Sequence, residues 1–384
     1  MRKTLNPWLA SVLGLVWSTA ALAASVKVEA FGVLKDGRKV TSYTLVNDKG
    51  ASATILDYGG KVTAIRVPDR NGRLGNTVQS FQDLAGWESS TYTSALTGRY
   101  AGTITKGFTL DGVYYPLTQT AQGVTMHGGV DPYPLRTWTA QPIRPGDGAA
   151  VTLTLLSPDG DQGFPGALKV AVKYSFTNDN ALRLDFTATT DKPTVLNLMN
   201  HMFFNLNGNS AGTVYDQELQ VFTDQRPSAT PGKLADSILG TPLDFTRPTL
   251  IGARVAGSLG PQYDDPETSP PIPPGMARGL GPFLLHDGDN RLDRVALRMR
   301  DPASGRVLEI RTTEPQILAF LPSERPSAQL SDAGRPFSRG KSVSFETQHP
   351  SNSPNRPEFP TTVLRPGQTF RSSTIFAFST DAKP

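Results

Sequence analysis

No cysteine occurs in the 384 residues. Disulfides, zinc–thiolate centres and thiol nucleophiles are thereby excluded, and an oxidising compartment neither helps nor harms the chain. Histidine is nearly as scarce: His127, His201, His286 and His349 are the only imidazoles, so any chemistry needing one must draw on these four. Charge of one sign is lacking as well. Removing Arg2 and Lys3 from the 38 basic residues leaves 36 against 34 acidic ones, which is no footprint for nucleic acid. Convincing helical periodicity, internal repeats and charge-block tails are all missing.

Glycine and proline, by contrast, are plentiful at 36 and 32 residues, with 38% hydrophobic content. Each Gly or Pro inside a helix costs about 1–3 kcal/mol, so this composition suits a β-fold with many turns. Strand-like segments recur, among them Val40–Val46, Val62–Val67, Val151–Leu156, Leu168–Phe176 and Leu182–Thr187. Several alternate apolar and polar residues, the pattern of a strand with one buried face. Turn chemistry separates them at Asp69-Arg70-Asn71-Gly72, Asp111-Gly112, Asp159-Gly160 and Asp301–Gly305.

The amino terminus reads differently. Arg2 and Lys3 precede an apolar run, Pro7–Ala23, that ends in the small-x-small pattern Ala21-Leu22-Ala23. At about 17 residues the run sits at the lower limit for spanning a bilayer of roughly 30 Å. The expectation is a cleavable signal peptide over residues 1–23, then a single domain over 24–384 in a periplasmic or secreted protein with no membrane contact after cleavage. The competing reading is an uncleaved anchor. Gln262–Pro282, rich in Pro and Gly, reads as a long surface loop between strands.

A series of phrases carries more information than the periodicity. In chain order they are Asp57-Tyr58-Gly59-Gly60, Phe81-Gln82-Asp83-Leu84, Gly98-Arg99, Gly107–Gly112, Met126-His127-Gly128-Gly129, the decapeptide Ser157–Gly166, Asn197–Leu206, Thr241–Phe245, Glu309–Pro315, Phe345-Glu346-Thr347-Gln348-His349 and Thr362–Gly367. Together they resemble the aldose 1-epimerase (galactose mutarotase) family along nearly all of the chain beyond the leader. The resemblance implies an all-β fold, a large antiparallel β-sandwich with a sugar cleft on the concave face of its main sheet, and a small aldose as the partner.

The implied reaction opens a pyranose ring and closes it on the other face of the anomeric carbon. One group protonates the ring oxygen while another takes the proton of the anomeric hydroxyl. No redox change and no strong Lewis acid is involved, so no cofactor and no metal is expected. The resemblance assigns Glu346 as base and His201 as acid, with His127, Arg99 and Asn200 binding the sugar. Read without it, each has a plainer role: a hydrogen-bonded structural histidine at His201, a tight turn at His127-Gly128-Gly129, an ordinary strand carboxylate at Glu346. His286 and His349 match nothing functional, although His349 is near enough to Glu346 in sequence to line the rim.

The pattern also breaks. The Asn-Arg pair that follows Gly98-Arg99 in the family is replaced by Gly102 and Thr103. Gly279-Leu280-Gly281-Pro282 stands where a Tyr-Asp-His-Asn phrase is expected, and Leu318 where a glutamine is expected. Asp264, upstream in the long loop, is the candidate to return a carboxylate to the cleft. Losing polar groups that bind hydroxyls relaxes or redirects specificity. Three readings follow: a mutarotase with changed sugar preference, a sugar-binding or sensory protein without turnover, and a different sugar-active reaction such as epimerisation or lyase chemistry.

Overall fold

Strand pairing in this chain is antiparallel throughout its sheets and joins segments far apart in sequence. The computed structural model describes residues 23–120, 123–143, 148–208, 211–259, 276–277, 279–285, 291–322, 330–337 and 340–381. The leader residues 1–22, most of the 262–282 loop with Asp264, and His286 lie outside them. Among the described residues one short α-helix occurs, Leu84–Ser89, started by the Asp83 carboxylate accepting from the Gly86 amide at 2.9 Å.

Three sheets carry the architecture. The largest has nine strands in the order Thr139–Ile143, Gly148–Ser157, Leu168–Thr177, Ala181–Thr190, Phe370–Thr380, Arg306–Thr312, Leu297–Arg300, Glu218–Val221, Thr249–Leu250. A six-stranded sheet runs Phe203–Phe204, Val343–Gln348, Gln316–Phe320, Pro282–Leu284, Gln225–Pro227, Ala235–Ser237. Five strands between Ser25 and Asn76 form a meander.

Alternation along each strand decides what faces what. In Leu168–Thr177, Leu168, Val170, Val172, Tyr174 and Phe176 are buried while the residues between them are more exposed. These side chains join Tyr43, Leu45 and Ile55 of the meander and Phe345, Ile317 and Phe283 of the six-stranded sheet in one continuous core. Phe204 links the layers, its ring 5.9 Å from Phe345 and 5.3 Å from Phe376.

The strand Val343–Gln348 departs from simple alternation because all six residues are buried. Phe345 points into the core, and Thr347 bonds Thr374 of the nine-stranded sheet at 2.8 Å. Ser344, Glu346 and Gln348 therefore face the other way. Two buried polar residues and a carboxylate on the non-core face of a strand mark a place where something other than packing determines the sequence.

Candidate active site

Glu346 and its neighbours are set by register. It lies opposite Leu318 on the adjoining strand, and Ser344 lies opposite Phe320 on one side and Phe203 on the other. His201 reaches the same face from a different segment. Met199–Asn200 pairs with Leu96–Thr97, and immediately after it the His201 amide donates to Ala95 O at 2.9 Å while Ser94 N donates to His201 O at 2.9 Å. This clamp turns the imidazole toward the six-stranded sheet. His201 Nε2 is 3.2 Å from Glu346 Oε1 and its Nδ1 is 3.1 Å from Ser344 Oγ. Phe203 stacks on the ring at 4.9 Å and Phe320 meets it edge-on at 6.1 Å.

His127 completes the group. Thr103–Ile104 pairs with Thr125–Met126, and the chain then turns through His127 and two glycines with positive φ. Gly128 at φ +100° is required here, because an added Cβ would lie 2.0 Å from Gly98 O. The turn directs His127 at His201, ring centroids 5.5 Å apart, with Tyr92 packed behind it at 5.0 Å. The Gly102 amide donates to His127 Nδ1 at 3.2 Å, so a neutral His127 carries its proton on Nε2 and acts as a donor.

Burial governs the electrostatics. Glu346 is 2% exposed, its Oε2 has no partner among the described residues, and desolvation pushes its carboxyl up to about 8. Desolvation also pushes His201 down to about 3, aided by His127, and His127 down to about 4. Through neutral pH the Glu346–His201 pair thus holds a single exchangeable proton, and its titrations belong to the pair rather than to either member.

Two imidazoles and a carboxylate with donor atoms within 4.8 Å of one another could in principle take a divalent ion. The tautomer of His127 opposes it. Binding through Nε2 would require moving that proton to Nδ1 and breaking the bond from Gly102. Dialysis against a chelator is therefore expected to leave turnover unchanged; a loss restored by added Zn²⁺ or Mn²⁺ would reverse this assignment.

Two residues read from the sequence as sugar contacts face elsewhere. Arg99 is buried and directed away from the cleft. Its guanidinium donates to Pro165 O, Gly166 O, Ser157 O, Ser157 Oγ and Pro158 O at 2.6–3.1 Å. Asn200, adjacent to His201, points oppositely, its amide donating to Gly60 O at 3.3 Å and Tyr174 Oη at 3.2 Å. Strand alternation is the reason: if His201 faces the cleft, Asn200 faces the core. His349 likewise turns from the rim, with Nε2 3.6 Å from Glu314 and Nδ1 3.3 Å from Pro360 O.

Other contributors were missed in the sequence. Ser344 could have been found, since two residues before Glu346 on a strand is the same face. Lys61 could not. It is wholly buried, donating from Nζ to Ser90 O at 2.9 Å and Thr91 O at 2.8 Å, and burial lowers its ammonium to about 7. It ties down the loop that supplies Tyr92 to His127 and Ser94 to the His201 backbone.

With this geometry in view, comparison with known proteins is decisive. Residues 41–377 match the aldose 1-epimerase family. The chain belongs to that family. Among curated aldose 1-epimerase relatives, the galactose mutarotase of Bos taurus is 30% identical over 363 residues, covering 92% of this chain and 99% of its own. The aldose 1-epimerase of Escherichia coli K12 is 30% identical over 359 residues, covering 89% and 96%. The solved galactose 1-epimerase of Lactobacillus acidophilus superposes with a TM-score of 0.75 at 23% identity over 94% of this chain, a likeness of fold. Both the all-β class and the antiparallel sandwich expected from the sequence agree with these findings.

Proposed function

We propose that this aldose 1-epimerase family member interconverts the α and β anomers of an aldose by ring opening and closure at the Glu346–His201 pair. The observation that carries the reading is the 3.2 Å contact between His201 Nε2 and Glu346 Oε1 inside a site that holds one exchangeable proton. With sugar in the cleft, that proton passes from carboxyl to imidazole. Glu346 then takes the proton of the anomeric hydroxyl while His201 gives its proton to the ring oxygen. C1–O5 breaks as C1=O1 forms. The same steps in reverse, after rotation about C1–C2, close the ring on the other face. His127 Nε2–H adds a neutral donor to oxygen. Each positioned acid or base contributes about 10²–10⁴-fold, which suits a reaction that already proceeds slowly in water.

Polarimetric relaxation of freshly dissolved α-D-glucose and α-D-galactose tests this. Acceleration by the purified protein is expected. Saturable sugar binding with no acceleration across a panel of aldoses would replace the proposal with the sugar-binding reading.

The shared proton sets the pH dependence. Above about 8, where burial has placed the Glu346 carboxyl, the pair loses that proton and has no acid to offer the ring oxygen. After subtraction of the uncatalysed rate, kcat/KM should stay level through neutral pH and fall tenfold per unit on the alkaline side. A profile flat from pH 6 to 10 would contradict the single-proton pair.

Export rests on the basic start, the apolar run Pro7–Ala23 and the Ala21-Leu22-Ala23 site, and would place the enzyme outside the inner membrane. Protein recovered from the periplasm should begin at Ala24; recovery of intact Met1 would reject cleavage.

A further inference from the structure

We infer that the side-chain amide of Gln316 binds the C2 hydroxyl of the aldose and sets a preference for sugars that carry it; this rests on the mutarotase reading above. Buried amides almost always find hydrogen-bond partners, and a buried one without any calls for an explanation. Gln348 is fully buried, and neither its Oε1 nor its Nε2 has a partner among the described residues. Gln316, only 3% exposed, lies directly opposite it on the adjoining strand and likewise makes no side-chain hydrogen bond among the described residues.

Gln316 also lines a cavity of about 330 Å³. The other hydrogen-bonding side chains on that wall already have partners. Ser351 Oγ accepts from Thr103 N at 3.4 Å, and Ser228 Oγ from Thr230 N at 3.1 Å. Arg356 donates to Glu358, Ser228 O and Thr230 O, and Arg226 faces Asp236 at 4.0 Å. The cavity adjoins the acid–base site twice. Leu318 on its wall lies opposite Glu346, and Ser351 bonds Thr103, next to the Gly102 amide that donates to His127 Nδ1.

Strand register fixes which hydroxyl Gln316 meets. His201 reaches Ser344 through Nδ1 and Glu346 through Nε2, so its ring sits between those two rows. The row of Gln348 and Gln316 follows Glu346 on the side away from Ser344. In the sugar, the ring oxygen belongs at His201 and the anomeric hydroxyl at Glu346. The atom that continues from C1 away from the ring oxygen is C2, so its hydroxyl falls toward Gln316. Diagonal neighbours of an antiparallel pair, as Glu346 and Gln316 are, stand about 7–8 Å apart, within reach of long side chains. An amide can donate to that hydroxyl and accept from it. A sugar lacking the hydroxyl leaves the buried amide unpaired, and such sites reject the analogue.

Polarimetry with D-galactose and D-glucose, each beside its 2-deoxy analogue, tests this once the uncatalysed rates are subtracted. The protein should favour each parent sugar over its analogue by about 10–100-fold in kcat/KM. Gln316→Leu, close in size, should lower the parent sugars at least about tenfold and the analogues far less, so that the preference collapses. Should that variant not fold, Gln316→Asn withdraws the same amide and is expected to give the same collapse. An equal fall for both members of a pair marks a structural glutamine and overturns the inference. Absence of the preference in the unsubstituted protein, or its survival in the variants, overturns it as well. Should no sugar be accelerated, the mutarotase reading fails by itself. Calorimetry on the same pairs then judges Gln316: tighter binding of the parent sugars, lost in Gln316→Leu, upholds the inference, and an unchanged gap or no binding overturns it.

Discussion

Glu346→Gln is expected to lose turnover by a factor of about 10³ or more, because an amide can neither supply the proton that His201 delivers to the ring oxygen nor take the proton of the anomeric hydroxyl. The same variant should be more stable than the parent at alkaline pH. The sign follows from linkage. In the unfolded chain a glutamate ionises near its ordinary value, whereas in the folded protein burial holds the carboxyl up to about 8. Between those two values the folded state keeps a proton that the unfolded state has released, so rising pH favours unfolding. Below the ordinary glutamate range the two states bind alike and the effect vanishes; above about 8 it is complete. A neutral amide of the same shape has no such dependence. The gain should reach about 2–4 kcal/mol by pH 8–9, after discounting for relaxation around the site, and be absent at pH 4. Melting curves of both proteins across this range, beside polarimetry, measure the two effects together. Residual activity within tenfold of the parent would remove Glu346 from the mechanism, and a pH-independent difference in melting would remove the burial argument.

Arg99→Met is expected to damage the fold rather than sugar binding. The Arg99 guanidinium satisfies acceptors from Ser157 to Gly166, while Arg136 secures the same segment through paired bonds to Asp161 at 2.7 and 2.8 Å. Methionine would fill much of the space and leave those buried acceptors unpartnered, a loss of about 3–5 kcal/mol by comparison with broken buried charge pairs. The midpoint of thermal unfolding should drop by on the order of 5–10 °C. KM of whatever protein remains folded should stay within about twofold, since the group touches no substrate. Unchanged melting with a tenfold rise in KM would restore Arg99 to the cleft.

The contrast between these two residues shows where sequence reading stops. Glu346 and Arg99 each sit in a recognisable phrase, and a phrase says which residues recur together without saying which way they point. The decapeptide Ser157–Gly166 illustrates this: it is among the most distinctive stretches of the chain, yet its Asp161 and Ser157 bond to Arg136 and Arg99 and to each other. Asn200 and His201 are neighbours in one phrase, and the pleat sends one to Tyr174 in the core and the other to Glu346. Lys61 had no signal at all, because a lysine in a strand-like run is ordinarily solvated and only the folded loop brings Ser90 O and Thr91 O to its ammonium.

Composition and local pattern were enough to favour a β-fold, to exclude thiol chemistry and to shorten the list of imidazoles, since these depend on residue types and on neighbours close along the chain; the candidate acid–base pair came from the resemblance of whole phrases to a family. The tertiary structure alone decided that the side chains of residues 127, 201 and 346 meet in one buried site and that those of Arg99 and Asn200 do not reach it. Those outcomes depend on pairing between segments far apart along the chain, 143 residues in the case of His201 and Ser344. They also depend on desolvation, which shifts Glu346 and His201 only once the sheets have closed over them.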